Sequence, residues 1–566
     1  MLDIPEFAAP MPRLTNLLPR WTTDLVRRLM SDRAGNTLLI IAASVVPMLA
    51  LVGGGIDMGR SYLSQARLQQ ACDAGVLAAR KKLGATVVTD SVLPSDAATI
   101  GNRFFDLNFN SGAYGTTNRS YTMTLGNDYS VNGVATATVP TTIMKIFGFA
   151  SVPVNVKCSA QFNYANTDIM MVLDTTGSMK DKAVSTDPKS KIDTLRQVVK
   201  DFYTNIESKK TQGARIRYGF VPYSISVNVG YLLKSSWMKD TWNYETRSAV
   251  NTGTSWSPNW KWRYATTNQS VSNFKGITDN SLYVGGSKTL PSGGTPSSPT
   301  NETATFRGCI EERGTYVIND YNNVDLNRAR DLDIDAVPDK TNPDTQWSPV
   351  LQEIAYLRAY WVDSYQNIRG SWSPNSTDYA GDYVQPADVS SDAWACPSRA
   401  SKLAEMTSSQ VSNYVDSLVP GGFTYHDIGM IWGGRLISPT GIFASENGDV
   451  NGRPTMRHLI FLTDGTTQTY DIVNGAYGVE PLSRRRWNSS SPYTLTQTVE
   501  KRFTYACNAV KNKNITVWVI GFGTTVTDLM KNCAGTNHWF QANNASQLSA
   551  AFAAIASAIG DLRVIK

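Results

Sequence analysis

Twenty consecutive residues, Thr37 to Ile56, carry no charge. As a helix rising about 1.5 Å per residue, such a run is about 30 Å long, the thickness of one hydrocarbon core. Pro47 and Gly53-Gly54-Gly55 lie inside it, and membrane helices tolerate both residue types. Arg20, Arg27, Arg28 and Arg33 precede the run, while Arg60 and Arg67 follow it. The bias of basic residues toward the first flank predicts that residues 1–36 form a cytoplasmic basic tail and that the remainder is exported. A cleaved signal peptide is the competing reading. The long charged stretch before the run, with no small-residue cleavage pattern after it, favours a retained anchor. Helix formers continue without proline from Asp57 to Leu83, so the span and its extension occupy 37–83. Along the extension, Ala71, Ala74, Gly75 and Ala78 form a small-residue stripe. Such a stripe suits either close approach by another helix or packing on the chain's own domain.

A chain of 566 residues is too long for one compact core, so several domains are expected. The net charge is +6, charged residues make up 18%, and no long Lys/Arg run occurs, which argues against a nucleic-acid partner. The six cysteines include no CxxC pair and only three histidines accompany them. A Cys/His zinc site is therefore disfavoured, whereas disulfides fit an oxidising compartment. Cys507 precedes the apolar run 515–520 and Cys533 follows it, so this pair would tie a helix to the loop beyond a strand. Cys309 and Cys396 would close the segment between them, and Cys72 and Cys158 remain by elimination. Spacing alone leaves 15 connectivities open.

Past the anchor, residues 84–164 read as a small β-rich linker domain. Thr122–Leu125, Val134–Val139 and Val152–Phe162 are β-branched or alternating, and Gly and Asn clusters separate them. From residue 165 to 566 the pattern changes to strands alternating with helices. Ile169–Leu173, Ile216–Val221, Leu459–Leu462 and Ile515–Ile520 are continuous apolar runs, as strands covered on both faces require. Helical stripes lie between and after them, at Ile192–Ile206, Val411–Leu418, Val499–Val510 and Leu548–Ile559. This alternation predicts an α/β fold with a doubly wound, mainly parallel sheet. Residues 235–396, rich in Trp, Tyr, Ser, Asn and Gly, interrupt the pattern. They read as a large insertion of short strands and loops, either an aromatic recognition face or a structural excursion.

Asp174-Thr175-Thr176-Gly177-Ser178 directly follows the first of those apolar strands. One carboxylate and two hydroxyls on one turn are hard oxygen donors, suited to a small hard cation. In a doubly wound sheet, ligands gather at the carboxyl ends of strands near the switch in strand order. Asp464 follows a later strand and Thr424 lies in a Gly-containing loop between helices, so both can reach the same edge. The pattern Asp174, Thr176, Ser178, Thr424, Asp464 resembles the metal-ion-dependent adhesion site of von Willebrand factor A domains, with Thr176 where Ser is commoner. The resemblance implies Mg²⁺ (or Mn²⁺ or Ca²⁺) at these five residues and an acidic partner group completing the coordination. No hydrolase, P-loop or dinucleotide motif appears in the required context. His426 lacks a base-orienting constellation, which favours a structural or surface role and a non-enzymatic protein.

A second resemblance is carried by Arg27-Arg28, Asp32-Arg33-Ala34-Gly35, Asp57–Leu63, Leu68–Ala74, Thr424–Pro439 and Cys533-Ala534. These segments resemble TadG-type proteins of the bacterial tight-adherence (Flp) pilus system. Related prepilins carry Glu five residues after the cleavage-site Gly, whereas Ile40 stands five past Gly35 here, so an unprocessed anchor is expected. The resemblance implies a single-pass protein of the bacterial inner membrane, with its C-terminal portion periplasmic or at the cell surface. Its implied partners are other pilus or pilus-assembly proteins and a surface or host ligand bearing an acidic group. Its implied role is metal-dependent adhesion or protein binding; the alternative is a structural minor pilin or assembly scaffold.

Overall fold

The computed structural model describes residues 36–83, 92–126, 130–163, 166–210, 214–356, 361–362, 368–369, 396–449, 455–470, 473–559 and 561–565. The expected cytoplasmic tail lies outside these residues, as does part of the insertion.

The chain begins with one continuous helix, α1 (Asn36–Leu83). By length and composition it is the one helix among the described residues able to cross a membrane, and only 11% of its most apolar stretch is buried. Its second half packs on a small layer made of α2 (Ser95–Asn108), β1 (Thr117–Leu125), β2 (Val131–Pro140) and β3 (Ser151–Asn163). The three strands pair antiparallel in the order of the chain. Burial alternates strictly along β2, so its inward residues, Val131, Ala135, Ala137 and Val139, meet Leu68, Cys72 and Val76 of α1 in one core. The helix α2 departs from the all-strand expectation for 84–164. Its buried face consists only of Ala97, Gly101 and Phe105, a stripe too thin in apolar mass to stand out by periodicity. Half of the small-residue stripe on α1 is filled from within the chain: Ala71 and Gly75 are buried, and a Cβ placed on Gly75 would lie 2.4 Å from Tyr121 Oη and 3.1 Å from Gly101 O, while Ala74 and Ala78 stay partly exposed.

The larger unit contains β4 (Thr167–Asp174), α3 (Lys191–Ser208), β5 (Ile216–Tyr223), β6 (Thr241–Asn251), β7 (Trp260–Ser270), β8 (Ser287–Thr295), β9 (Ser298–Thr305), β10 (Ser401–Ala404), α4 (Ser408–Asp416), α5 (His426–Ile437), β11 (Met456–Thr463), α6 (Leu495–Lys511), β12 (Thr516–Phe522), α7 (Asp528–Ala534), β13 (Trp539–Ala542) and α8 (Ala545–Ala558). Six of these strands form one sheet in the order β10-β5-β4-β11-β12-β13. All neighbours pair parallel except β10 with β5. Helices cover both faces. Ile169, Met171 and Leu173 of β4 face the core shared with α3, α4 and α8. The alternate residues Met170 and Val172 face the core shared with α5 and α6. A strand buried on both faces reads as a nearly continuous apolar run; β4 and β5 are buried along their full lengths, and the charges near their starts, Asp168 and Arg217, are paired at 2.7 Å.

The insertion holds two antiparallel hairpins, β6–β7 and β8–β9. Its described residues do not all form a separate aromatic face. Tyr244, Phe274, Tyr283 and Trp347 join the same core as α5, although Trp256 and Trp260 remain exposed. As a result α5 is buried around its whole circumference. Glycine makes this possible: a Cβ on Gly433 would lie 2.4 Å from Val172 Cγ2, and one on Gly429 2.7 Å from Tyr223 Cδ1. Buried ion pairs then tie the insertion down. Glu312 meets Arg435 at 2.7 Å, and Asp331 pairs with Arg502 of α6.

Three disulfides close Cys72–Cys158, Cys309–Cys396 and Cys507–Cys533. The chain's end returns to its beginning. A final strand, β14 (Asp561–Ile565), pairs antiparallel with β3, and Arg80 of α1 donates to Ser557 O. Residues 561–565 thus extend the small sheet, whereas the alternating sequence pattern assigns them to the larger unit.

Candidate metal site at the strand ends

The strand order reverses direction between β4 and β11: the chain runs outward from β4 to β5, then returns to place β11 on the other side. Their pairing sets Leu462 beside Leu173, so Asp174 and Asp464 emerge together at the carboxyl edge. Backbone bonds gather the third segment. Gly177 N donates to Gly422 O at 3.0 Å, and Gly421 N donates to Thr175 O at 2.8 Å. Thr424 and Gln468 exchange two backbone bonds, at 3.1 and 3.0 Å. All five residues expected to act together therefore come from three converging loops. Thr424 reaches this edge through its backbone.

The oxygens of Thr176, Ser178 and Asp464 form the tightest group. Ser178 Oγ donates to Asp464 Oδ1 at 2.9 Å, Thr176 Oγ1 lies 3.4 Å from that oxygen, and the two hydroxyls are 3.2 Å apart. Asp174, Thr176, Thr424 and Asp464 are buried while Ser178 is exposed, so the cluster opens to solvent on the Ser178 side. Asp174 stands behind it. Its Oδ1 accepts from Thr176 N at 2.9 Å, and its Oδ2 accepts from Thr463 Oγ1 at 2.8 Å and from Tyr223 Oη at 3.4 Å. Burial first, and the neighbouring charge of Asp464 second, push the Asp174 carboxyl up to about 7. Asp174 is the carboxylate shut away from solvent, with a second carboxylate beside it.

Two partners escaped the sequence reading. The first is Lys191, the first residue of α3. Its Nζ lies 2.9 Å from Asp464 Oδ2 and 3.5 Å from Ser178 O. A charged residue opening a helix ordinarily reads as solvated surface, and only Asp464 across the fold reveals its role. The second is the pair Thr463 and His426. His426 is buried, the structural one of the two roles the sequence leaves open, but its partners are not legible there. Its Nε2 lies 2.9 Å from Thr463 Oγ1 and its Nδ1 2.9 Å from Thr467 Oγ1. Burial holds the imidazole down to about 3, so it is neutral. With Asp174 ionised, Thr463 donates its one proton to that carboxylate and accepts from His426, which puts the proton on Nε2 and leaves Nδ1 to accept from Thr467. The histidine is an orienting strut whose protonation does not change near neutral pH.

The donor set fits a hard divalent cation. It offers two carboxylates and the hydroxyls of Thr176 and Ser178, with Thr424 at the same edge as a further oxygen-bearing residue. No group of three or more His, Cys, Asp or Glu side chains that would hold a metal occurs among the described residues; the candidate set depends on hydroxyls for its remaining donors. Lys191 already neutralises one carboxylate, so a cation must share Asp464 with it.

Residues 35–85 match the family model described as putative Flp pilus-assembly TadE/G-like. The match covers α1 and its immediate flanks and leaves the larger unit outside it. No curated protein matches the chain. Among solved structures, similarity extends to the pilus adhesin SpaC from Lactobacillus rhamnosus GG, at 12% identity and a TM-score of 0.29, over 78% of this chain and 34% of that one. The chain thus spans about a third of the adhesin's length. The PilB minor pilin from Streptococcus sanguinis is similar at 10% identity and a TM-score of 0.29, over 79% of each chain. Proximal thread matrix protein 1 from the mussel byssus is similar at 11% identity and a TM-score of 0.25, over 69% of this chain and 46% of that one.

Proposed function

We propose that this chain is a membrane-anchored protein of a tight-adherence pilus system whose larger unit, read as a von Willebrand A-like domain, binds a partner through a divalent metal. The oxygen cluster at the switch between β4 and β11 carries the reading. Asp174, Thr176, Ser178, Thr424 and Asp464 would hold Mg²⁺, or Mn²⁺ or Ca²⁺. The exposed Ser178 side leaves the cation open to an acidic group of a pilus protein or a surface ligand. The metal would supply positive charge that attracts and orients that carboxylate. The protein's own part is to bind: neutral His426 and Thr463 hold Asp174 in place, and nothing in the cluster is arranged as nucleophile and base. The match at residues 35–85 and the apolar half of α1 support the pilus and inner-membrane assignment. Three disulfides support an exported, oxidising location for the chain beyond α1.

Calorimetry of the full chain in detergent tests the metal. Mg²⁺ and Mn²⁺ should each bind saturably at one site, and Asp464→Ala should abolish the signal. A wild-type protein that binds neither ion removes the mechanism. One observation favours the second reading, a minor pilin or assembly scaffold without a metal. Lys191 is already paired with Asp464, so the edge could persist as an ion pair. If Asp464→Ala leaves both pilus assembly and attachment intact, the scaffold reading stands.

A further inference from the structure

The first charged residue after the apolar run, Asp57, is not spent on solvent. It is 2% exposed, and its carboxylate accepts three successive backbone N–H groups from the β2–β3 connection: Thr142 at 2.8 Å, Ile143 at 2.9 Å and Met144 at 2.8 Å. Arg60, one turn further on, donates to Thr142 Oγ1 at 2.5 Å. The connection also touches the apolar run itself. A Cβ on Gly53 would lie 2.3 Å from Ile143 Cγ2, and one on Gly54 3.8 Å from Met144 Sδ. Both glycines belong to the uncharged stretch that ends at Ile56. The loop is thus held at the level of the last turn of that stretch. At that level it leaves Ile146 80% and Phe149 61% exposed, although nothing about a turn between two strands calls for apolar residues there.

We propose that Thr141–Ala150 is an interfacial membrane anchor, with Ile146 and Phe149 entering the headgroup boundary of the bilayer that α1 crosses. This rests on reading α1 as a membrane span. Continuity names the occupant: the exposed side chains belong to a segment packed on the span, and the exposed apolar surface of α1 from Ile40 to Ile56 continues toward it. Such segments bind by burying apolar side chains while keeping charge at the headgroups, and Lys145, exposed directly before Ile146, suits anionic lipid. Asp57 has a double use. It pins the loop through three N–H groups, and the loop in turn covers a carboxylate that would otherwise face the interface. Two contacts with the membrane, one along α1 and one beside it, would restrain how the small sheet tilts over the bilayer.

The test uses the full chain in vesicles of phosphatidylethanolamine and phosphatidylglycerol. Ile146→Cys is labelled with an environment-sensitive fluorophore, beside Val46→Cys inside the span and Ile277→Cys on the insertion. Lipids bearing a nitroxide near the headgroup should quench the label at 146 severalfold more than at 277. Asp57→Ala should reduce quenching at 146 while leaving a deep-nitroxide signal at 46 unchanged. If 46 is quenched by the deep probe and 146 behaves like 277, the anchor stands and the interfacial loop is overturned. If neither 46 nor 146 is quenched, the span reading fails and the inference with it. If an apolar environment at 146 appears only at high protein density and vanishes on dilution with lipid, the loop meets a second copy of the chain and the proposal is again overturned.

Discussion

Lys191 Nζ lies 2.9 Å from Asp464 Oδ2, while Ser178 Oγ donates to the other oxygen of the same carboxylate, also at 2.9 Å. One carboxylate therefore serves a resident ammonium on one side and the open hydroxyl cluster on the other. In the metal reading these two cations compete for the charge of Asp464. Replacing Lys191 by Met keeps the aliphatic stem and removes the charge. The metal-free variant should lose stability, because a buried carboxylate left without its partner costs about 3–5 kcal/mol. Its Mg²⁺ affinity should rise by roughly tenfold or more, since like-charge repulsion at close range disappears. Thermal denaturation with and without Mg²⁺ checks both signs. A variant that is destabilised yet binds no more tightly would mean that Lys191 only buttresses the turn.

Asp174 sets the pH dependence of the metal-free edge. Its folded-state carboxyl is raised to about 7 from an ordinary 3.8. Between those values the folded protein holds a proton there that the unfolded chain has released, so this group's contribution falls as pH rises from about 4 to about 7. Asp174→Asn removes the titration and keeps an oxygen for the Thr463 hydroxyl. Without metal, the variant should be close to wild type near pH 4 and more stable than wild type above pH 7. Saturating Mg²⁺ should reverse the order at high pH, because only wild type gains from the ion. Urea midpoints across this range decide it; a difference that stays constant with pH would show that Asp174 is not the titrating group.

The parts of the site readable in the sequence are those set by a strand's end. Asp174 and Asp464 each close a continuous apolar run, and a doubly wound order brings such ends together whatever the rest of the chain does. Lys191 is illegible there because its partner lies 273 positions away and the start of a helix is where charge is commonplace. The insertion is ambiguous for a related reason. Its aromatic residues have no helical or strand period, so composition leaves a surface and a structural excursion both open; Tyr283 is buried against Phe274 and Phe306, and Trp347 against Trp432 of α5. The complementary clue is on α5 itself: a helix apolar on all sides, with Gly429 and Gly433 in it, needs cover on every face. The return of β14 to β3 leaves no local trace at all, since pairing between strands so distant is a property of the whole fold.

The Cys507–Cys533 disulfide joins α6 to α7 around β12, across a separation of 26 residues. Closing a loop of that size restricts the unfolded chain by about 3.5 kcal/mol in the chain-entropy account. Cys507→Ser with Cys533→Ser should lower stability by a comparable amount, with the folded spectrum retained. Both sulfurs are buried, so the hydroxyls add a further penalty. Peptide mapping without reductant provides the control: free thiols at 507 and 533 in the wild type would remove this contribution altogether.

Glu312 ties the insertion to the sheet-covering helix. It accepts from Trp432 Nε1 at 2.6 Å, Arg435 Nη1 at 2.7 Å and Trp347 Nε1 at 3.2 Å. Burial alone would push this carboxyl up, but Arg435 and the indole donor outweigh it and hold it below the usual range. Glu312→Ala would leave the Arg435 guanidinium buried without its counter-charge, and a loss of about 3–5 kcal/mol is expected. Arg435→Met would strand the carboxylate in the same way. The double variant should cost clearly less than the sum of the two, with a coupling of about 1–3 kcal/mol, because neither charge is then left alone. Denaturation midpoints of the four proteins measure that coupling. Strict additivity would mean that the insertion is held by its apolar contacts with α5 and that the ion pair contributes nothing of its own.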